Sequence, residues 1–455
     1  MRRYRPIAGL AAVTIALAAT AAEASADPTC AASARTDVPQ PTHAQLAAAG
    51  LAKFPLALLA QRVDLVAPPF SHPTSVTNPL FPISALHSAV INGHVEGKPL
   101  TIETSLLPET RIIEWSPGQC VRTLVSQFVA YLGGRIEEVA LDHYAQDDAG
   151  SVWYFGEDVF NYRDGVIGDT AGTWHAGKEG PAAMIMPAHP QVGGVNRSEN
   201  IPGLVFEEVT TKQLGLNLHG PRGPVAGGML GSELHDDGTR EDKVFAPGYG
   251  EFRSAAGGDL EAMALAVPTD GRPGPVPAEL TRLLAAADRA YLAATERRWR
   301  AAARATRRAA AAWHAHQTAA VPPRLVAPLT QALARLTHAV DHRRRTPARA
   351  AAIATAQAAL DLELQYRPPA DIDGERFALW ARRAAVDAAA RNTAGAYSDI
   401  SALEWIRDRI MRALDPVTLS RIDAALTDLR SQVDDGKLKP AARTAHALSR
   451  AVTRP

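Results

Sequence analysis

The segment 143–158 constrains the fold more than any other part of the chain, because it reads as two strands joined by a tight turn. Apolar and polar residues alternate up to Gln146, the sequence Asp147–Gly150 is typical of a chain reversal, and three consecutive aromatic residues follow. The arrangement is repeated at once, since Phe160–Tyr162 leads into a second turn at Arg163–Gly165. These patterns predict that the N-terminal half is built of short antiparallel strands.

The N-terminus has the three-part pattern of a secretory signal peptide. Three arginines within the first five residues precede an apolar stretch from residue 7 to 22, and residues 24–26 (Ala-Ser-Ala) form a small-residue cleavage site. We therefore expect residues 1–26 to be removed after Ala26 and the mature protein to be secreted or held in the cell envelope. No later segment has about 18 uninterrupted apolar residues, so we expect no transmembrane segment in the mature chain.

Composition and charge divide the chain at residues 268–276, a segment rich in Pro and Gly that is typical of a linker. Residues 27–276 hold 16 Lys and Arg against 29 Asp and Glu, a net charge of −13, whereas residues 277–455 hold 29 against 18, a net charge of +11. A basic helical half would suit an anionic partner such as a lipid surface or a polyanion. The interpretation that we favour is that the two halves attract each other, or that Arg simply replaces Lys in a GC-rich genome. We expect no specific nucleic-acid binding.

We predict an α+β protein with an antiparallel β domain followed by a separate all-α helical bundle. Residues 27–77 form a Pro-rich arm with a short helix between Leu46 and Val66, and residues 78–267 form the β domain, as a curled sheet, a sandwich or an open barrel. Residues 268–276 are the linker, and residues 277–455, rich in Ala, Arg and Leu, form the bundle.

The predicted strands and helices follow from the periodicity of apolar residues and from turn residues between them. The predicted strands are Ser88–His94, Leu100–Leu106, Arg111–Trp115, Val121–Tyr131, Arg135–Gln146, Val152–Phe155, Phe160–Tyr162, Gly172–Ala176, Leu204–Leu214, Lys243–Ala246, Gly250–Arg253 and Glu261–Val267. The predicted helices are Pro277–Thr318, Val326–Arg345, Pro347–Gln365, Gly374–Met411 with a break near Asn392–Gly395, Pro416–Val433 and Lys439–Val452.

Several motifs resemble known protein families. The segment 143–158, with Trp174–Gly177, Ile185–Ala188 and Phe245–Glu251, resembles a family of uncharacterised exported bacterial proteins with a Tyr-Ala-Gln-Asp…Gly-x-Val-Trp-Tyr-Phe-Gly-Glu β core. This resemblance covers roughly residues 78–267 and implies no assigned activity. The Ala-Pro-Gly-x-Gly hairpin also resembles, more loosely, the curled sheets of lipoprotein-carrier-like periplasmic domains, which hold apolar ligands in a concave face. Three further segments resemble helical domains of other uncharacterised exported bacterial proteins: 360–369, 377–382 and 403–409.

Aromatic residues of the strand region are the candidates for a ligand site. Consecutive aromatic residues on one strand point to both faces of a sheet, so each face is either a buried layer or a ligand-facing surface. Core packing is the default interpretation, and an apolar groove would use Trp153, Phe155, Tyr162 and Trp174.

No recognised catalytic motif is present, so we assign no catalytic residue. We therefore expect a non-enzymatic binding or carrier protein for an apolar or lipidic ligand, with a structural protein-docking module as an alternative.

The helical half offers a candidate metal site. His338 and His342 are four residues apart on one predicted helix and share a face, while Asp361 and Glu363 lie on the next. Two imidazoles and a carboxylate are ligands that suit a divalent transition metal such as Zn²⁺ or Cu²⁺. Against this, His342 opens the polar sequence His-Arg-Arg-Arg, which reads as a solvated helix end. A metal-binding protein or metalloenzyme is therefore the second hypothesis. Other acids and histidines form no motif: Glu157, Asp158, His175 and His189.

The chain has two cysteines, Cys30 and Cys120. An oxidising compartment would allow them to pair and to tie the arm to the strand region, with a stabilisation of a few kcal/mol. Two unpaired thiols are the alternative, because spacing in the sequence gives no distance.

Overall fold

The computed structural model describes residues 37–451, in which a large antiparallel sheet precedes a block of helices. The sheet has 14 strands and is open, with the order β6-β5-β4-β3-β2-β1-β14-β13-β12-β11-β10-β9, and β7 and β8 also pair with β5. The strands are β1 (Ser88–Val95), β2 (Lys98–Ser116), β3 (Gln119–Leu132), β4 (Arg135–Gln146), β5 (Val152–Arg163), β6 (Val166–Asp169), β7 (Trp174–His175), β8 (Ala183–Met186), β9 (Val195–Ile201), β10 (Val205–Gly220), β11 (Gly223–His235), β12 (Arg240–Ala246), β13 (Gly250–Ala256) and β14 (Asp259–Val267). The predicted order along the chain, an antiparallel β region followed by helices, is confirmed.

The first and last strands of the sheet are neighbours in its middle. β1 pairs with β14 from Ser88 opposite Val267 to His94 opposite Leu260. On either side of this seam, neighbouring strands are also consecutive in the chain, as hairpins require. The seam therefore joins two locally built halves into one sheet.

Two pairs of predicted strands are single long strands in the structure. Leu100–Leu106 and Arg111–Trp115 both belong to β2, whose pairing with β3 shifts register between Leu106 and Thr110. Pro108 lies in this irregular stretch, where its missing N–H breaks no ladder bond. The predicted strands 152–155 and 160–162 are likewise parts of β5.

The N-terminal arm packs against the sheet through aromatic side chains, with Phe70 on Trp115 and Phe155. The arm's helix α1 (His43–Ala48) is only six residues long, and two 3₁₀ turns follow at Leu51–Lys53 and Leu59–Gln61. Pro55 lacks the N–H of a helical residue and disfavours the helical conformation before it, which explains why no longer helix forms in this region. Further along the arm, Phe81 packs edge-to-face on Tyr144 of the sheet.

The helices form two groups of four rather than a single bundle. They are α2 (Ala278–Thr295), α3 (Trp299–His316), α4 (Pro323–Asp341), α5 (Arg345–Glu363), α6 (Pro369–Ala389), α7 (Thr393–Ile410), α8 (Pro416–Asp434) and α9 (Leu438–Leu448). In the first group, α2 and α4 each pack on both α3 and α5. In the second group, α6 and α8 each pack on both α7 and α9. Each group is thus an up-and-down four-helix arrangement, and α5 packs on α6 between them. None of the helices within residues 37–451 is long and apolar enough to cross a membrane.

The same turn closes four helical hairpins, α2–α3, α4–α5, α6–α7 and α8–α9. In each, a backbone N–H donates to the carbonyl of the residue five positions earlier, and the residue before the donor has a positive φ, as in the Schellman motif. The donor and acceptor residues are Arg298 and Ala293, Arg344 and Ala339, Asn392 and Asp387, and Lys437 and Gln432. The residues with positive φ are Arg297, Arg343, Arg391 and Gly436. The predicted helix Pro277–Thr318 is therefore two helices.

Replacing Arg343 by Gly is expected to raise the free energy of unfolding by about 0.5–1 kcal/mol. Arg343 has φ 52°, a conformation that costs an L-residue roughly 1–2 kcal/mol, whereas glycine adopts it freely and loses part of this gain to its larger unfolded-state entropy. The midpoint of urea unfolding would measure the change. The reciprocal variant Gly436→Arg, in the equivalent turn, should lower the midpoint, and a lower midpoint for Arg343→Gly would contradict the assignment.

The helices and the sheet share their hydrophobic cores. Val90 and Leu265 of the sheet belong to the core of the first helix group, and Val139 and Tyr162 belong to the core of the second. The connecting segment 268–276 is fixed in place, because the buried carboxylate of Asp270 accepts a hydrogen bond from the Tyr249 hydroxyl at 2.7 Å and Arg272 donates to Gln365 at 3.0 Å. The separate-domain arrangement is thus not confirmed.

Opposite charges meet where the helices contact the sheet. Glu103 of β2 accepts a hydrogen bond from Arg409 at 2.8 Å and lies 3.6 Å from the Nε of Arg376. Arg376 also contacts Asp361 at 2.7 Å and Asp373 at 3.2 Å, and its side chain is 2% exposed. Burial opposes ionisation of Glu103, but the two guanidinium groups hold its pKa below the usual value. We call these residues, together with Arg409, the interface charge network.

Candidate binding cleft between the sheet and the helices

A cleft of about 1250 Å³ lies where β1–β3 of the sheet meet α4, α5 and α6. Sites for small molecules commonly have volumes of roughly 300–1,000 Å³, so this cleft has room for a large ligand. Alanine is the commonest residue type of the helical walls, and its short side chain leaves space between each helix and the sheet. These alanines are Ala327, Ala332, Ala334, Ala339, Ala350, Ala351, Ala354 and Ala358. The walls are consequently mostly apolar.

One buried polar group in the cleft lacks a partner. The Tyr131 side chain lines the cleft and stacks on Trp380 with ring centroids 5.1 Å apart, and its hydroxyl makes no hydrogen bond within residues 37–451. Burial and the neighbouring Glu103 carboxylate raise the pKa of Tyr131 well above its usual value, so the phenol stays protonated and can donate. An unpaired buried hydroxyl costs about 1–3 kcal/mol, which a ligand carrying an acceptor oxygen would recover.

Two arginines close one end of the cleft. Arg383 donates to the carbonyl of Gly134 at 2.6 Å, and Arg135 contacts Asp387 at 2.7 Å and Asp399 at 3.1 Å. Their positive charges are thus largely matched within the protein. The polar end is therefore a fixed boundary of the cleft, whereas the Tyr131 hydroxyl is a buried group with unused hydrogen-bonding capacity. Two further arginines, Arg324 and Arg335 of α4, also line the cleft.

The predicted aromatic residues do not line this cleft. Trp153, Phe155 and Trp174 are buried in the hydrophobic cluster beneath the N-terminal arm, where the indole N–H groups of the two tryptophans donate to Asp147 and Glu199. Tyr162 is buried in the core of the second helix group and accepts a hydrogen bond from the Trp405 indole at 2.7 Å. All four pack as core, as the default interpretation has it, and both faces of β5 are covered at these positions.

The helical residues proposed as metal ligands are not brought together. The rings of His338 and His342 are 4.2 Å apart at the exposed end of α4, and His338 reaches the rim of the cleft. Asp361 is paired with Arg376 in the interface charge network, and Glu363 contacts Arg367 at 2.8 Å. No three of these four residues are among the groups within residues 37–451 whose ligand atoms lie within 4.8 Å of one another.

Two other clusters of candidate ligands form in the sheet. One comprises His143, Asp158 and His175, and the other comprises Glu207, Glu233 and His235. Sequence reasoning noted Asp158 and His175 but not His143, because the three residues come from separate strands and no spacing links them. Only the pairing of β7 on β5 reveals the first cluster.

The second of these clusters is balanced by its own cations. Lys243 contacts Glu233 at 2.7 Å, and His235 lies 3.4 Å from Glu207 and from Glu241. Burial alone would lower the pKa of His235, but hydrogen bonds and the charges of the surrounding carboxylates raise it to about 9. These contacts make the second cluster part of a buried ion-pair network.

Two features predicted from the sequence fall on the N-terminal residues. The signal peptide and Cys30 lie outside the described residues, which begin at residue 37. Cys120 is half-buried at the start of β3. The pairing of Cys30 with Cys120 therefore stays a prediction.

The chain was also compared with known proteins. The resemblances described for residues 78–267 and for the helical segments stay predictions, because nothing found bears on them. No protein-family model, no curated protein and no solved structure matches this chain.

Proposed function

We propose that the protein is an exported, non-enzymatic carrier that holds an apolar or lipidic ligand between its sheet and its helices. The observation that supports this proposal is the large cleft with alanine walls, which has one buried hydroxyl without a partner. Export is inferred from the signal-peptide pattern in the first 26 residues. The ligand position differs from the one expected from the aromatic strand, because those aromatic residues are core.

The chemistry of the cleft defines the class of ligand. Apolar walls favour a long hydrocarbon body, since burial of apolar surface contributes about 25 cal/mol for each Å² removed from water. The Tyr131 hydroxyl would donate to a single acceptor group, such as a carboxylate or ester oxygen. A molecule with an apolar body and one oxygen-bearing head, such as a long-chain fatty acid or an acyl lipid, fits both requirements.

Filling the cleft is expected to abolish binding. Ala354 lies on α5 and lines the cleft, so Ala354→Trp would occupy part of the ligand's volume. We expect a fluorescent long-chain fatty acid to bind the parent protein saturably, with one site, and to bind the Ala354→Trp variant at least tenfold more weakly. Fluorescence titration at constant protein concentration measures both values.

Two further variants separate specific binding from general adhesion to apolar surface. Ala310 is exposed on α3 and is not part of the cleft, so Ala310→Trp should bind like the parent. Tyr131→Phe removes the unpaired hydroxyl and should weaken binding of the fatty acid about five- to tenfold, the equivalent of one hydrogen bond. Non-saturable binding, or equal affinity in the Ala354 and Ala310 variants, would overturn the proposal.

A further inference from the structure

The cluster of His143, Asp158 and His175 lies on β4, β5 and β7, apart from the cleft and from the proposed carrier function. The His175 Nε2 is 3.1 Å from one oxygen of Asp158, and the His143 Nε2 is 3.7 Å from the other. Ligand atoms at about 2.0–2.2 Å from a tetrahedral Zn²⁺ are roughly 3.3 Å apart, so these separations are close to the edges of such a site. From this geometry we infer that His143, Asp158 and His175 bind a divalent transition-metal ion, with Zn²⁺ as the best match.

Local backbone features aim the three side chains at one point. Asp142 of β4 pairs with Glu157 and Tyr144 pairs with Tyr154, so β5 has one extra residue opposite His143, and such a bulge bends the strand and redirects its side chains. Gly156 has φ 116°, and a Cβ atom there would lie 2.1 Å from the carbonyl oxygen of Trp174. Only glycine therefore lets β7 approach β5 closely enough to place His175 beside Asp158.

A cation already occupies part of this cluster. The guanidinium of Arg111 is 2.6 Å from Asp158 and 3.0 Å from the Nε2 of His143. Arginine can only donate, so the His143 Nε2 must accept with a lone pair directed into the cluster. The Arg111 side chain is 44% exposed whereas that of His143 is 2% exposed, so the arginine can swing out to solvent while the imidazole stays fixed. A metal ion would replace Arg111 at the position where positive charge is already stabilised.

The surroundings of His175 fit a metal ligand as well. Its Nε2 is buried and close to Asp158, yet it makes no hydrogen bond within the described part of the chain. The carboxylate of Glu179 accepts from the His175 backbone N–H at 2.8 Å and lies 4.0 Å from the Nδ1 of the ring. At 4.0 Å the ring nitrogen and the carboxylate are not hydrogen-bonded, but the bond to the His175 backbone holds a negative charge on this side of the imidazole. With three protein ligands, the fourth position would be open to water.

Zinc binding by the full-length, chelator-treated protein tests this inference by isothermal titration calorimetry. We expect one equivalent of Zn²⁺ to bind with a micromolar or lower Kd, and His175→Gln and Asp158→Asn each to weaken binding at least tenfold. Arg111→Ala should bind several-fold more tightly, because it removes the competing cation. Co²⁺ in place of Zn²⁺ should give the visible absorption of a tetrahedral complex.

The helical histidines provide the matched control. The double variant His338→Ala/His342→Ala removes two exposed imidazoles from α4 and should bind zinc like the parent. Circular dichroism would show that each variant is folded. Loss of zinc in the helical variant, or unchanged binding in folded His175→Gln, would overturn the inference.

Discussion

Replacing Arg376 by Met is expected to lower the free energy of unfolding by about 3–5 kcal/mol. The Arg376 side chain is 2% exposed and contacts three carboxylates, those of Glu103, Asp361 and Asp373. Methionine has a similar volume but no charge, so Glu103 and Asp373 would keep Arg409 as their buried cation, and Asp361 would lose its ion pair with Arg376. Buried charges that lose a partner cost far more than the original ion pair contributed. Equilibrium urea unfolding, followed by circular dichroism, measures the loss.

A partly exposed arginine of the same helical block, Arg407, serves as the control. Arg407 contacts Asp423 through two hydrogen bonds, at 2.7 and 2.9 Å, but both side chains are partly exposed. Water can replace these bonds, so Arg407→Met should cost less than about 1 kcal/mol. Adding Glu103→Gln to Arg376→Met should restore part of the lost stability, because it removes one of the uncompensated charges. Similar losses for Arg376→Met and Arg407→Met would show that the network is not buried as described.

Replacing Gly165 by Ala is expected to destabilise the protein by about 3 kcal/mol or more. Gly165 has φ 82° in the turn between β5 and β6, and this turn lies against the first turns of α7. A Cβ atom there would be 2.1 Å from the Ser398 amide nitrogen and 2.7 Å from the Ala394 carbonyl oxygen. The left-handed conformation costs roughly 1–2 kcal/mol in alanine, and overpacking against backbone adds about 1–3 kcal/mol. The hydrogen bond from Ser401 to the Gly165 carbonyl, 3.0 Å long, would also be strained.

Replacing Gly133 by Ala separates the cost of the left-handed conformation from the cost of overpacking. Gly133 has φ 59° in the turn between β3 and β4, and nothing lies within 4 Å of the position of its Cβ atom. Gly133→Ala should therefore cost only the conformational part, about 1–2 kcal/mol. Thermal unfolding of both variants in one buffer gives the comparison. A Gly165→Ala variant as stable as Gly133→Ala would mean that the turn does not dock on α7.

Local signals in the sequence predicted the elements that have clear boundaries. β4 has the predicted bounds Arg135–Gln146, because a Gly-Gly turn precedes it and an acidic turn follows. The break near Asn392–Gly395 is confirmed, since the Asn392 side chain accepts from the Gly395 amide and caps α7. The break between α2 and α3 was not predicted, because an arginine, Arg297, takes the left-handed position where glycine is the usual signal.

Strands without an apolar alternation were missed for a different reason. β9 reads Val-Asn-Arg-Ser-Glu-Asn-Ile, a composition typical of a loop, yet its polar residues are buried with partners. Arg197 donates its backbone N–H to Asp64 and its guanidinium to Glu208. β11 begins with a Gly-rich stretch, and no strand was predicted there. In both cases pairing with β10 fixes the strand, and this long-range contact overrides the local preference.

The cleft could not be predicted for a related reason. Its alanines read as ordinary helix formers, and Tyr131 reads as one more strand aromatic. The cleft exists only because α4, α5 and α6 cross the sheet at a distance, so its site depends on tertiary packing rather than on a motif. The same holds for His143, Asp158 and His175, which three strands contribute.

The pairing of β1 with β14 has a consequence for how the chain acquires its structure. Each half of the sheet consists of hairpins between consecutive strands, which can form early and locally, but Ser88 meets its partner only after residue 267 has become available. Until then β1 and β14 each present an unpaired edge in the middle of the eventual sheet, and such edges invite pairing with other chains. We therefore expect slow, late closure of this seam to limit the folding rate, and the yield of folded protein to fall as the concentration of newly emerged chains rises.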